Sequence, residues 1–325
     1  MEYRKLGSSG VLVSSVSLGT MNVSSDKSKS NHLSLFESAI NDGVNYIDTA
    51  DNYCDGEAEN FVGELISKLN RNRLLLSTKC FFPKDDTKIT RGLTRKNLLN
   101  TVETSLRKFG TDYIDILYCH RFDKTTPLEE TISAMHDLIQ SGKVLYWGVS
   151  SYSTFQLCDT FYTARLMGVP TPIVTQHAYN IFNRTIEMEH HEALLGTGMG
   201  VVAYYTLAQG ILTGKYTNGI PSGSRASFSV NKNTMWDFSE QNLRKATSFA
   251  HLCSEIGLSP SVLAIKWVLR NSNVSTALTN INSQSQWSDL TKTFDKELPQ
   301  DIWGRIDEIF LNIPVNQYTG LGYQF

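Results

Sequence analysis

Ile114-Asp115-Ile116-Leu117-Tyr118-Cys119-His120 is a mostly apolar run that ends on an imidazole, and its reading decides the fold. Two earlier stretches repeat the plan. Asn45-Tyr46-Ile47-Asp48-Thr49 reaches a carboxylate, and Leu74-Leu75-Leu76-Ser77-Thr78-Lys79 reaches an amine. Short apolar runs of this kind read as strands buried on both faces, the habit of parallel sheets. Polar groups at the carboxyl ends of successive parallel strands converge on one rim of a barrel, where such folds place their chemistry. Tyr53 follows the first run and adds a phenol to that rim.

Outward from these three runs the alternation continues. Residues 3–13 read as a small hairpin, with Ser9-Gly10 supplying the turn. Val16-Ser17-Leu18 is the first barrel strand, followed by a helix with Leu33, Phe36, Ala39 and Ile40 on one face. Further helices are predicted around Phe61–Leu69, from Thr94, from Thr126-Pro127 to Gly142, from Ser153, and near 189–195. The remaining strands are predicted at 145–149, 173–176, 201–204 and 274–278. Eight strand-plus-helix units without a break in composition predict one α/β domain over 1–325, a single (β/α)8 TIM barrel with an N-terminal β-hairpin. Residues 208–238 form a long Gly/Ser/Asn-rich connection of the sort that usually carries function. Coil is expected after Ile313.

The bulk numbers agree with this and exclude several classes. The chain has 325 residues, and that length suits one barrel, since about 250 residues is typical. A formal net charge of -2 gives no electrostatic footprint for nucleic acid or an anionic membrane. No run approaches the roughly 20 apolar residues that span a bilayer, so the expectation is a cytoplasmic protein without membrane insertion. Cys54, Cys80, Cys119, Cys158 and Cys253 lack a CxxC spacing, so no disulfide framework and no metal site is expected.

Asn45-Tyr46-Ile47-Asp48-Thr49-Ala50-Asp51-Asn52-Tyr53 with Gly56-Glu57-Ala58-Glu59, then Ser77-Thr78-Lys79 and Cys119-His120-Arg121, resemble the signature segments of the aldo-keto reductase superfamily. The resemblance covers essentially the whole chain. It is strongest to the branch of potassium-channel β subunits and their bacterial reductase relatives. It rests there on Tyr3-Arg4-Lys5-Leu6-Gly7, Gly142-Lys143-Val144-Leu145-Tyr146-Trp147-Gly148, Leu212-Thr213-Gly214-Lys215-Tyr216 and Ser224-Arg225-Ala226-Ser227. It implies NADPH-dependent reduction of an aldehyde or ketone.

The four rim residues have the chemistry for the proton half of that reaction. Taken singly, each has an ordinary explanation: a turn cap, a rim aromatic, a solvated strand-end charge, a hydrogen-bonded loop histidine. Together they form a device. A tyrosine with its usual pKa of about 10 is a reluctant acid near neutrality. A neighbouring ammonium stabilises the phenolate and is expected to lower that value. Tyr53 is therefore read as general acid, Lys79 and Asp48 as the pair that tunes it, and His120 as the group that orients the carbonyl oxygen. The resemblance adds that channel β subunits typically carry asparagine at the His120 position.

The cofactor side follows from the resemblance alone. Gly19, Thr20 and Asp48 would border the nicotinamide, Ser150 and Gln176 would hold its carboxamide, and Tyr204 would stack on the ring. Tyr205, Thr206, Leu207 and Gly210 would approach the pyrophosphate. Lys215 and Arg225 would meet phosphate oxygens and favour NADPH over NADH. Asn282, Gln286 and Asp289 would lie at the adenosine. Three departures stand out. Tyr205-Thr206-Leu207 replaces a usual Ser-Pro-Leu, and Cys54-Asp55 stands where relatives often have glycine. Asn280-Ile281-Asn282 with Asp289-Leu290 replaces a Gly-Ala-Ser run and a Glu-Asn pair. A substrate wall of Thr20, Met21, Tyr53, Phe81, Arg121 and Tyr152 is expected. Two other readings stay open: a lyase, dehydratase or isomerase using the four residues without hydride transfer, and a cofactor-loaded regulatory β-subunit-like protein. Relatives range from monomers to higher assemblies, so a homo-oligomer is open as well.

Overall fold

Eight short parallel strands close on themselves in chain order. They are β3 (Val16–Gly19), β4 (Tyr46–Asp48), β5 (Leu75–Cys80), β6 (Ile114–Cys119), β7 (Val144–Ser150), β8 (Val174–Ala178), β9 (Gly200–Tyr204) and β10 (Val274–Thr279). Each pairs with the next, and β10 returns to β3 through Ala277 opposite Val16. The barrel is the one predicted, with the eight strands at the predicted places. In this computed structural model, residues 1–23, 29–83, 90–227, 235 and 237–310 are described.

Helices cover the outside: α1 (Lys29–Asn41), α2 (Glu57–Ile66), α3 (Arg95–Phe109), α4 (Leu128–Gln140), α5 (Thr154–Leu166) and α6 (His191–Thr197). After β9 come α7 (Glu240–Glu255) and α8 (Pro260–Leu269), and after β10 come α9 (Gln284–Thr293) and α10 (Ile302–Phe310). Their starts follow capping rules. The Thr94 hydroxyl accepts from the Asn97 N–H ahead of α3, and Ser153 with Gln156 forms a reciprocal capping box at α5. Phe36, Phe61, Leu98, Ile132, Trp147 and Trp267 fill the layer between strands and helices. Burial of such side chains, worth about 1.5–3 kcal/mol each, holds the shell to the barrel.

Inside the barrel lies a second, smaller core of Tyr46, Ile116, Tyr118, Val174 and Val202. The N-terminal hairpin closes its lower end: β1 (Tyr3–Lys5) pairs antiparallel with β2 (Leu12–Ser14), and Leu6, Val11 and Val13 join the interior. The conformational demand in that hairpin falls on Gly7 rather than Gly10. Gly7 has φ 61°, and a Cβ there would stand 2.3 Å from the Gly198 carbonyl oxygen. Ser9 does act in the turn, its hydroxyl donating to the Leu6 carbonyl.

The connection after β9 contains two tight helical turns, Ala208–Thr213 and Arg225–Ser227. Residues 228–234 and 236 of it, and the tail expected as coil after Ile313, lie outside the described residues. Among the described residues no single helix is long and apolar enough to cross a membrane.

Candidate active site

Period-2 alternation along each strand aims Asp48, Lys79 and Gln176 toward the barrel axis near its carboxyl end, with His120 one residue beyond β6. Tyr53 comes from the turn after β4. That turn is tight, for Cys54 (φ 48°), Asp55 (φ 55°) and Gly56 (φ 88°) are all left-handed. The departure from glycine at Cys54-Asp55 thus places two side-chain-bearing residues where glycine would be relaxed. The same holds for Ser151, Tyr205, Ala208 and Gln209. All six non-glycine residues of this kind among the described residues leave the carboxyl ends of β4, β7 and β9. Backbone strain, of order 1–3 kcal/mol per residue, is concentrated on the rim that carries the polar groups.

Lys79 is completely buried and uses its three N–H donors on three acceptors. Nζ lies 2.5 Å from Asp48 Oδ2, 2.7 Å from the Thr49 carbonyl oxygen and 3.1 Å from the Tyr53 hydroxyl. Burial alone would lower its pKa. The Asp48 carboxylate, with Tyr53, outweighs burial and holds Lys79 above the ordinary lysine value, so it is an ammonium. The other Asp48 oxygen accepts from Ser77 Oγ at 2.8 Å and from Gln176 Nε2 at 2.9 Å.

The structure corrects one expectation about Tyr53. Lys79 does pull the phenol's pKa down, but burial pushes it up by more, and Asp48 adds to the rise. The net result is a phenol held above its ordinary value. It keeps its proton firmly at neutrality.

His120 packs edge-on against Tyr53, with ring centroids 5.8 Å apart, and against Phe82 at 4.8 Å. Its Nδ1 is buried without a hydrogen-bond partner. Burial, then the positive charges of Lys79 and Arg121, bring its pKa down to about 2, so the ring is neutral. On the outer face of β8, burial and the neighbouring His190 bring His177 down to about 3. These two rings set an acid limit on the fold. The unfolded chain takes up a proton on each histidine near pH 6.5, while the folded protein does not until far lower. Stability from this source is therefore complete above about pH 6.5 and declines as pH falls below it. The slope is at most about 1.4 kcal/mol per pH unit for each ring. Urea unfolding at pH 7 and pH 5 should show the decline, and His120→Asn should make it shallower. Equal slopes in the two proteins would contradict the neutral buried ring.

Of the expected substrate wall, Thr20 is buried and uses its hydroxyl on the Asp48 carbonyl oxygen at 3.1 Å. Tyr152 is buried as well, edge-on to Phe122. Phe82, which the sequence reading did not single out, stands against His120 in addition to packing on Phe81. Arg121 donates to the His120 carbonyl oxygen at 2.7 Å and to Ser151 Oγ at 3.1 Å, and Ser151 in turn meets the Tyr204 hydroxyl at 3.1 Å. Ser150 is buried at the end of β7, beside Gln176 in strand register. Gly19, at the end of β3, pairs with Asp48.

The loop after β9 is built around polar groups. Asn180 donates to the Tyr205 carbonyl oxygen at 2.9 Å, and the Tyr205 hydroxyl bonds the Asp237 carboxyl. Thr206 Oγ1 donates to the Leu278 carbonyl oxygen, and Leu207 packs half-buried against the outer core. Lys215 folds across Gly210, where a Cβ would stand 2.4 Å from its Nζ, and it also lies over the Tyr216 ring. The Arg225 turn reaches the same tyrosine, because the Ala226 N–H donates to the Tyr216 hydroxyl. Within this group Gln209 Oε1 and Ser224 Oγ are buried without a partner. Two cations and an unsatisfied hydroxyl on one loop fit a phosphate-bearing cofactor.

At the opposite end of the expected cofactor track, Asn282 and Gln286 are exposed beside the start of α9. Ser283 caps the start of α9 by accepting from the Gln286 N–H, and Gln286 Oε1 accepts from the Asn282 N–H just before it. Ile281 and Leu290 are buried in the outer core. Asp289 is half-buried on α9. The sequence reading missed Tyr46, Ser77 and Tyr118, all fully buried beneath the rim. The signal was present: each stands two residues before Asp48, Lys79 or His120, on the same face of its strand.

An eight-stranded barrel with a buried carboxylate–ammonium–phenol cluster and a neutral histidine at its carboxyl rim defines a recognisable class. A model of the aldo/keto reductase family matches residues 15–310, and the chain belongs to that family. It is 35% identical over 305 residues to a protein of Arabidopsis thaliana named "probable voltage-gated potassium channel subunit beta", covering 91% of this chain and 92% of the relative. A protein of the same name from Oryza sativa subsp. japonica gives the same identity and coverage. A relative from Schizosaccharomyces pombe, also named as a potassium channel subunit beta, is 33% identical over 96% of this chain and 94% of its own length.

Proposed function

We propose that this protein uses NADPH to reduce an aldehyde or ketone to the alcohol, with Tyr53 as general acid. One observation carries the reading: all three Lys79 donors are engaged, one of them on the Tyr53 oxygen. The phenol oxygen accepts from the ammonium, so the phenol's own proton is directed away from Lys79 and into the site. NADPH, when bound, supplies the hydride to the carbonyl carbon. Tyr53 transfers its proton as negative charge builds on the carbonyl oxygen, and the resulting phenolate is stabilised by the ammonium already in place. The phenol is then reprotonated from solvent. Asp48 keeps Lys79 charged and fixed. Neutral His120 orients the carbonyl oxygen by a hydrogen bond, as an imidazole rather than an imidazolium.

For the cofactor, Ser150 and Gln176 would hold the carboxamide and Tyr204 the ring face. Lys215, Arg225 and Ser224 would hold phosphate. Isothermal titration with NADPH and NADH tests this. Binding of NADPH several-fold tighter than NADH is expected. No binding of either at sub-millimolar concentration would sink the reading and favour proton-transfer chemistry of the lyase or isomerase kind. The names of the plant and yeast relatives support a second reading, a cofactor-loaded regulatory subunit. In that case NADPH binds, turnover with activated aldehydes is negligible, and a membrane channel is retained in pull-down. The neutral His120 beside Tyr53 favours catalysis over it.

A further inference from the structure

Five buried side chains from four strands, Asp48 among them, form a ring joined by four hydrogen bonds. The Tyr46 hydroxyl donates to Ser77 Oγ at 3.0 Å, and Ser77 donates to Asp48 Oδ1 at 2.8 Å. The Tyr46 and Tyr118 hydroxyls lie 3.0 Å apart. Gln176 Nε2 donates to Asp48 Oδ1 at 2.9 Å, and the Gln176 side chain also faces the Tyr118 hydroxyl, which brings the five together in a ring. None of the five is more than 3% exposed. Space for the Tyr118 ring is provided by Gly148, where a Cβ would stand 2.8 Å from the ring and 2.6 Å from Val174. Barrel interiors are usually filled by branched apolar residues, so a polar layer at this depth calls for a reason.

The hydrogens in the ring have one consistent arrangement. Tyr46 has a single proton and gives it to Ser77, so it accepts from Tyr118. Tyr118, with its proton on Tyr46, turns its oxygen lone pairs toward the Gln176 side chain, whose amide donates to Asp48. Both arms end on Asp48 Oδ1, which suits a carboxylate, and Oδ2 is left to Lys79. The Gln176 Nε2 donates to Asp48, which leaves its Oε1 to accept from a ligand N–H.

We infer that Tyr46 and Tyr118 are positioning residues that lock Gln176 and Asp48 in one orientation, giving the carboxamide pocket and the proton donor a common support. The Gln176 amide is thereby set to receive a primary carboxamide as donor. This inference rests on the reductase reading for its ligand, but the ring itself does not.

The test uses the full chain with Tyr118→Phe, a change that removes only a hydroxyl, and Tyr46→Phe as the second variant should the first fail to fold. Crystal structures without cofactor, together with NADPH titration and steady-state kinetics, are the measurements. In Tyr118→Phe the Gln176 amide is expected to leave Asp48 Oδ1. Kd and KM for NADPH are expected to rise about 5- to 10-fold while kcat stays within about threefold, the scale of one lost hydrogen bond. Tyr46→Phe frees the Tyr118 proton to turn toward Gln176, and the same effects follow at smaller size. Gln176 unmoved on Asp48 in the Tyr118→Phe crystal would overturn the inference, as would unchanged NADPH binding in a variant of a binding-competent protein. Failure of the wild type to bind NADPH would overturn the reductase reading instead, and the Gln176 position in the two crystals would still decide the ring.

Discussion

Tyr53→Phe is expected to lower kcat for aldehyde reduction by about 10²- to 10⁴-fold, the usual worth of a positioned general acid. NADPH affinity should stay within about twofold. The substitution removes one oxygen and leaves the ring in its contact with His120. It takes away both the proton and the acceptor that Lys79 Nζ meets at 3.1 Å. The ammonium keeps Asp48 and the Thr49 carbonyl as partners, so the fold should persist. Kinetics with cofactor binding measured in parallel separates the effects. A variant that binds NADPH and still reduces aldehydes at the wild-type rate would remove Tyr53 from the reaction.

Lys79→Met carries the largest expected cost in stability. Asp48 is 1% exposed, and its salt bridge to Lys79 is the only one it makes among the described residues. Removing the cation leaves a carboxylate in the barrel interior with the Ser77 and Gln176 donors as its main support. Breaking a buried ion pair from one side typically costs about 3–5 kcal/mol, because the remaining charge is uncompensated. Denaturant unfolding near neutral pH should show a loss of that size. Adding Asp48→Asn should recover a large part of it, since the amide needs no counter-charge. A loss below about 1 kcal/mol would mean that Asp48 does not depend on Lys79.

Much of this site is legible in the sequence, for a physical reason. Parallel strands sealed on both faces read as apolar runs, so a polar residue at the end of such a run is conspicuous, as with Lys79 and His120. Tyr46 and Tyr118 lie inside the runs, where a tyrosine reads as another large core residue. Their link closes between β4 and β6, which are not neighbours in the sheet. No spacing along the chain announces that contact. The pKa of Tyr53 is similarly hidden, because it depends on the depth of burial and not only on the proximity of Lys79. Gln286 reads as a ligand contact from its place in a matching segment. In the structure its oxygen accepts from the Asn282 N–H, while the Ser283 hydroxyl caps α9 by accepting from the Gln286 N–H.

In the proposed reading the charged cluster of the barrel is the place where a proton is given. The central claim is that a hydride arrives there too. Incubation with an activated aldehyde and NADPH deuterated at the transferable position of the nicotinamide tests it directly. The expected product is an alcohol with one deuterium on the carbinol carbon, formed in step with cofactor oxidation and absent in Tyr53→Phe. Product formed without deuterium, or with NADPH unconsumed, would contradict it.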